Sequence, residues 1–365
     1  MTISENLPRA PNQSTLVLAR VGEIDLLRFI AAMLVVLFHY TFRGNAANSY
    51  SLTAYPTIAP ITKYGYLGVE LFFLISGFVI LMTASNGSLK KFLASRFARL
   101  YPAFWVCCAI TFGVIFLFGN DRFTATMQQF LVNLTMLHEF VNVKSIDGVY
   151  WSLAVELKFY FLVVVVLLFR QIHRAQWFLG IWLVSSLVLQ WMPIPRVSAF
   201  LIPDYAPYFI AGAICYLAYQ RGWSLSKALM ILIALALALR SAMLSVVNLE
   251  KIYNTSFSSF LIGAITCSFF LLIAMVASRK TACLARWNWL AVGALTYPLY
   301  LIHQNIGYIL FNAAHQYMNA YITLFVILAL MLSISYAVNS VIEKPFAKPL
   351  QLFIGRVLTK VGVTF

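Results

Sequence analysis

Residues 23–40 read EIDLLRFIAAMLVVLFHY. A helix needs about 20 mostly apolar residues to cross a hydrocarbon core, and this stretch supplies them. It nevertheless holds Arg28 and His39. An ionisable group inside a bilayer is costly unless paired or hydrated, so each one demands a reason. On a helix the two stand about 16 Å apart along the axis and within about 20° of one face. One stripe therefore carries a guanidinium near one end and an imidazole near the other.

Working outward from this run, similar runs fill the chain. They lie near residues 24–42, 66–84, 101–118, 149–169, 176–193, 199–219, 228–247, 256–277, 289–311 and 320–342. Composition agrees. Of 365 residues, 62% are hydrophobic and 10% charged, against about 25% charged in soluble domains. A water-soluble globule is excluded, and so is a disordered chain, which lacks apolar surface to bury. The expected fold class is an all-α polytopic membrane protein of about ten transmembrane helices. Residues 1–22 read as a cytoplasmic tail, 23–345 as the membrane domain and 346–365 as a second cytoplasmic tail. The polar start lacks the short apolar core of a signal peptide.

The net charge is +15. In a soluble protein that points to nucleic acid; here it is read loop by loop. Most Lys and Arg fall in one set of alternate loops, Lys90, Lys91, Arg279 and Lys280 among them. The smaller share, including Arg43, Lys63 and Arg122, falls in the other. The positive-inside rule places both termini in the cytoplasm and accounts for the charge without a nucleic acid partner. The five cysteines, Cys107, Cys108, Cys215, Cys267 and Cys283, form no CxxC, and four lie in apolar runs. They read as buried, inert thiols, with no disulfide framework and no metal site.

The ionisable residues within the runs are Arg28, His39, Glu70, Glu156, Lys158 and His303, with Asp25 and Glu343 at the inner edge. Helix rise places His39, Glu70, Glu156 and His303, from four different runs, in the outer half of the bilayer. Independent structural residues need not share a depth, whereas a buried acid–base site does. A carboxylate that holds a histidine fixes its tautomer and raises its basicity, which makes a general base. The bland alternative is a set of structural pairs and packing histidines. At the cytoplasmic edge, KKFLASRFARLYP (90–102) puts Arg96 and Arg99 on one helical face. Two guanidinium forks suit phosphate groups, though positive-inside anchoring explains them too. Lys158 points nearly opposite Glu156 and is expected to snorkel or pair elsewhere. The Ser76-Gly77 pair reads as a point of close helix approach.

These residues carry a pattern that resembles the acyltransferase 3 family of integral membrane O-acyltransferases. The matching stretches, in the family's order, are LRFIAAMLVVLFHY with Arg28 and His39, GYLGVELFFLISGF with Glu70, and SRFARLYPAFW with Arg96 and Arg99. They continue with YWSLAVELKFY, holding Trp151, Ser152 and Glu156, then LTYPLYLIHQ with Tyr297, Tyr300 and His303, then EKP from Glu343 to Pro345. The resemblance extends from residue 24 to 345. It implies an acyl-CoA donor, usually acetyl-CoA, on the cytoplasmic side of a bacterial inner membrane. It implies a hydroxyl acceptor on an extracytoplasmic glycan or lipid-linked sugar, membrane lipid as surroundings, and a stand-alone form without an SGNH-type domain.

On that resemblance Arg28, Arg96, Arg99 and Glu343 are expected at the donor, and Trp151, Ser152, Tyr297 and Tyr300 at the substrate. His39 is expected to take the hydroxyl proton, with Glu156 or Glu70 orienting it. His303, Tyr297 or Ser152 is expected to donate to the developing oxyanion. An acyl-enzyme on His39, Ser76 or Ser152 is the other route. A sugar or lipid transporter is the rival class, since intramembrane charges also mark transport paths; no inverted repeat is visible.

Overall fold

The computed structural model describes residues 21–363. Its main helices are α1 Gly22–Phe38, α2 Gly68–Ala84, α3 Leu89–Phe118, α4 Trp151–Leu168, α5 Ala175–Trp191 and α6 Ala206–Arg221. They continue with α7 Leu225–Tyr253, α8 Ser259–Ala277, α9 Leu290–Ala314, α10 Ala320–Val338 and α11 Lys344–Lys360. The expected tail over residues 1–22 lies almost wholly outside the described residues. Loops hand over to helices at polar side chains. Ser88, Ser224 and Ser258 each accept a hydrogen bond from a backbone N–H of the helix they open, as Asn319 does for α10. Each satisfies one of the donors a helix start leaves unpaired.

The chain is a multi-pass membrane protein. Among the described residues nine helical stretches are long and apolar enough to cross a membrane. The remaining expected run, 289–311, is helical as α9, but Tyr297, Tyr300, His303, Gln304 and Asn305 make it too polar for that set. Its neighbours enclose these residues: His303 is fully buried. The outside of the bundle is the reverse, with Phe116, Trp177, Phe260 and Phe325 exposed. Surface of that kind belongs against lipid, not water.

Several boundaries depart from the sequence expectation. The run at 101–118 begins at Leu89, so Arg96 and Arg99, expected on one helical face, share a continuous 30-residue helix with it. The run at 199–219 is broken. A short helix, Pro195–Leu201, ends at Ile202 in a left-handed conformation, and α6 starts after Pro203, which cannot continue a helix. The stretch expected as a tail, 346–365, is largely α11, with Lys348, Arg356 and Lys360 alongside exposed Phe346, Leu352 and Phe353. That mixture suits a membrane surface. Finally, Cys267 and Cys283 are exposed; only Cys107, Cys108 and Cys215 are buried. Cys267 sits on a lipid-facing stripe, where an apolar sequence does not mean a buried one.

Helices α2 and α6 pack most extensively, and glycine permits it. A Cβ added to Gly77 would collide with the Phe209 carbonyl, and one on Gly212 with the Leu74 carbonyl. The two backbones therefore touch, as small residues allow in membranes. Helix α1 packs on both α2 and α9, and α2 also packs on α4. These four helices enclose the polar residues.

Candidate active site

Two chambers border α1, α2, α4 and α9, the first completed by α3 and the second by α7. The first is a narrow chamber of about 90 Å³. Arg28 from α1, Arg96 and Arg99 from α3, and Glu156 and Tyr160 from α4 line it, with Ser76, Ser152, Thr296, Tyr297 and Tyr300. Glu156 Oε1 accepts from Ser76 Oγ at 2.8 Å and from Tyr160 Oη at 3.0 Å. Arg96 Nη2 donates to Thr83 Oγ1 at 3.2 Å. Arg99 is ion-paired with Glu343, whose other oxygen accepts from Asn339 Nδ2 at 3.1 Å. The Arg99 guanidinium lies 5.7 Å from the centre of the Tyr297 ring. Three guanidiniums thus border one chamber, with Glu156 in its wall, Glu343 paired to Arg99 and Asp25 acting on Arg28. Forked donors of this kind bind oxyanions such as phosphate with defined geometry.

The second chamber, of about 270 Å³, is lined by His39, Arg43, Tyr66, Glu70, Trp151, Tyr205, Ser245, Tyr253 and Gln304 among others. Val69 and Tyr300 line both chambers. The Tyr300 hydroxyl shares a 2.7 Å hydrogen bond with Ser152 Oγ, which also donates to the Val149 carbonyl at 3.0 Å. The two spaces are therefore neighbours through one tyrosine-bearing wall.

His39 opens a π-helical turn, His39–Arg43, at the end of α1. Such turns insert an extra residue into a helix and re-aim the side chains beyond it; they recur at functional sites. His39 Nδ1 lies 2.8 Å from the Val35 carbonyl and 3.1 Å from His303 Nε2. His303 Nδ1 faces two carbonyls, Tyr300 at 2.9 Å and Leu299 at 3.2 Å. Carbonyls only accept, which decides both tautomers. His303 carries its proton on Nδ1, so its Nε2 is a lone pair. His39 carries its proton on Nδ1, shared between Val35 and His303. His39 Nε2 is left as a lone pair without a partner among the described residues. The Tyr40 hydroxyl steadies the same turn of α9 by donating to the His303 carbonyl at 2.8 Å.

The sequence expectations meet this geometry unevenly. Arg28, Arg96, Arg99, Glu156, Ser152, Tyr297 and Tyr300 converge on the first chamber, with Glu343 behind Arg99. His39, Glu70 and Trp151 converge on the second. Glu156 does not orient His39: it is taken up by Ser76 and Tyr160, and His303 with the Val35 carbonyl does that work. Nor is His303 an oxyanion donor, because its one proton is committed to carbonyls. Tyr297 Oη donates to the Leu100 carbonyl at 3.1 Å. Lys158 reaches over the Phe140 ring, 5.7 Å from its centre, away from both chambers. Arg43, Tyr66 and Gln304 escaped the sequence reading. Their signal was spacing: Arg43 follows His39 by one helical turn, Tyr66 precedes Glu70 by one, and Gln304 adjoins His303.

A polytopic α-helical bundle that encloses a buried imidazole and an arginine-lined chamber has parts that a membrane enzyme needs. The acyltransferase-domain family matches residues 21–339, and the chain belongs to that family. It is 30% identical over 148 residues to "Acyltransferase MdmB" of Streptomyces mycarofaciens, a stretch covering 39% of this chain and 38% of that protein. It is 31% identical over 160 residues to "Peptidoglycan O-acetyltransferase OatA" of Listeria monocytogenes, covering 38% of this chain and 23% of that one. The aligned stretches thus span less than half of either relative. No solved structure matches the chain.

Proposed function

We propose that the chain moves an acyl group, acetyl in the simplest case, from acyl-CoA to a hydroxyl of an extracytoplasmic or lipid-linked glycan. The supporting observation is the His39 tautomer: Nδ1–H is held by Val35 and His303, and Nε2 is a free lone pair on a residue lining a chamber. A general base needs that arrangement.

The arginine chamber suits the donor. Arg28, Arg96 and Arg99 offer fixed, permanent cations for phosphate groups, and the positive-inside reading turns that end toward the cytoplasm of a bacterial inner membrane. His39 Nε2 takes the acceptor's proton as its oxygen attacks the thioester carbon. The C–S bond breaks, and His39 returns the proton to the departing thiolate. Ser152 and Tyr300 form the wall between the chambers, where Ser152 Oγ donates to the Val149 carbonyl and the Tyr300 hydroxyl donates to Ser152.

The test uses full-length protein in nanodiscs with acetyl-CoA labelled in the acetyl group. Release of CoA with label appearing on a glycan supports the reading. Intact acetyl-CoA after prolonged incubation with every acceptor overturns it.

A further inference from the structure

Three polar atoms around the histidine chamber are shut off from solvent and lack a hydrogen-bond partner: Arg43 Nε, Tyr66 Oη and Glu70 Oε2. They come from separate elements. Arg43 closes the π-helical turn after α1, Tyr66 lies in the turn ahead of α2, and Glu70 in the first turn of α2. Buried polar atoms are nearly always paired, so three orphans on one chamber call for an explanation. Arg43 is not simply loose: its Nη1 donates to Tyr253 Oη at 2.9 Å, which fixes the guanidinium and leaves Nε over.

The orphans define what would satisfy them. A carboxylate only accepts, a guanidinium only donates, and a phenol does both. A ligand meeting all three must donate and accept within a short span. Adjacent hydroxyls do so. A phosphate or carboxylate would confront Glu70, and an ammonium would confront Arg43. The chamber wall also carries Trp151 and Tyr205, with ring centres 5.5 Å apart, an apolar surface for the C–H face of a ring.

We propose that Arg43, Tyr66 and Glu70 form the acceptor subsite and select an uncharged ring bearing at least two neighbouring hydroxyls, a pyranose, laid against Trp151. This rests on the acyl-transfer reading and adds the chemical class that the site admits.

The experiment offers nanodisc-embedded full-length protein labelled acetyl-CoA and one of three acceptors below their micellar concentrations. These are octyl β-D-glucopyranoside, octyl β-D-glucuronide and 1-octanol. The neutral glucoside should be acetylated with kcat/KM at least about tenfold above the other two, the scale of one charge-assisted hydrogen bond. Glu70→Gln and Tyr66→Phe should each raise the glucoside KM severalfold with the KM for acetyl-CoA unmoved; retained acetyl-CoA binding shows that each variant is folded. Octanol accepted as well as the glucoside, preference for the glucuronide, or a change in kcat alone overturns the proposal. So does acetyl-CoA cleaved to acetate with no response to the glucoside; that result leaves acyl transfer standing. Acetyl-CoA left intact with every acceptor removes the acyl-transfer reading itself, and the subsite with it.

Discussion

His39 and His303 share one proton line: Nδ1 of the first lies 3.1 Å from Nε2 of the second, and the carbonyls behind them fix its direction. His303 is fully buried and offers no free edge to a substrate. Its part is to hold His39 in the tautomer whose Nε2 is basic and to accept charge density when His39 becomes cationic. A carboxylate in that position would bind the imidazolium more tightly; a neutral imidazole leaves it a stronger acid toward the departing thiolate.

His39→Ala should therefore abolish transfer in a protein that still folds. His303→Ala should lower kcat by about 10–100-fold, since it removes the partner of the base and not the base. His303→Gln, whose amide oxygen still accepts, should recover part of that loss. Steady-state kinetics on the three variants, with thermal unfolding as a folding control, check this. Equal kcat in wild type and His303→Ala would sink the positioning role.

Tyr300 lines both chambers and closes the wall through Ser152. Tyr300→Phe keeps the wall and loses only the hydrogen bond to Ser152, so the ratio of transfer to hydrolysis should hold. Tyr300→Ala opens the wall to water from the histidine side. Acetate formation should then rise relative to ester formation by about tenfold, because water exclusion is what keeps a reactive acyl group for its acceptor. Separating labelled acetate from labelled ester measures the ratio directly.

Arg99 pairs with Glu343, and that contact joins α3 to the π-helical turn before α11. Arg99 is partly open at 32% exposure, whereas Glu343 is buried at 7%. Removing the arginine leaves a buried carboxylate without its counter-ion. Arg99→Ala should cost about 1–3 kcal/mol of stability, discounted from a fully buried pair because one partner meets solvent. It should also raise the KM for acetyl-CoA. A stability loss with unchanged KM would return Arg99 to a purely structural role.

Much of this was readable in the chain. The spans announce themselves by hydropathy, and Arg28, His39 and His303 by their misplacement in apolar runs. Position along the axis was read from helix rise, and the pairing drawn from it failed for Glu156. Expected level with His39, Glu156 accepts from Ser76, six residues further along α2 than Glu70, and shares a chamber with Arg28, Arg96 and Arg99. Which face each helix turns inward was not legible either. Rotation is set by packing, such as the Gly77 and Gly212 contact between α2 and α6, which no periodicity in these nearly all-apolar helices reveals. The π-helical turn at His39 was equally hidden. It shifts Arg43 by one residue's worth of rotation and brings it into the chamber.

Asp147, just ahead of α4, ties that segment to the histidine helix. Its carboxyl accepts from Val149 N at 3.1 Å and from Asn305 N at 3.0 Å, two residues beyond His303. Burial pushes the carboxyl up to about 7, against the pull of those two N–H groups and of the Arg43 charge. An unfolded aspartate titrates near about 4. Between these values the folded protein holds a proton that the unfolded chain has lost, so stability falls as pH rises through this window and levels above it. Thermal midpoints in nanodiscs should drop from pH 5 to pH 7.5. In Asp147→Asn the drop should be smaller, on a lower starting value, because an amide offers only one acceptor for two N–H groups. A midpoint that rises with pH in the wild type, or the same slope in the variant, would show that Asp147 is ionised throughout and anchors α9 as a simple carboxylate.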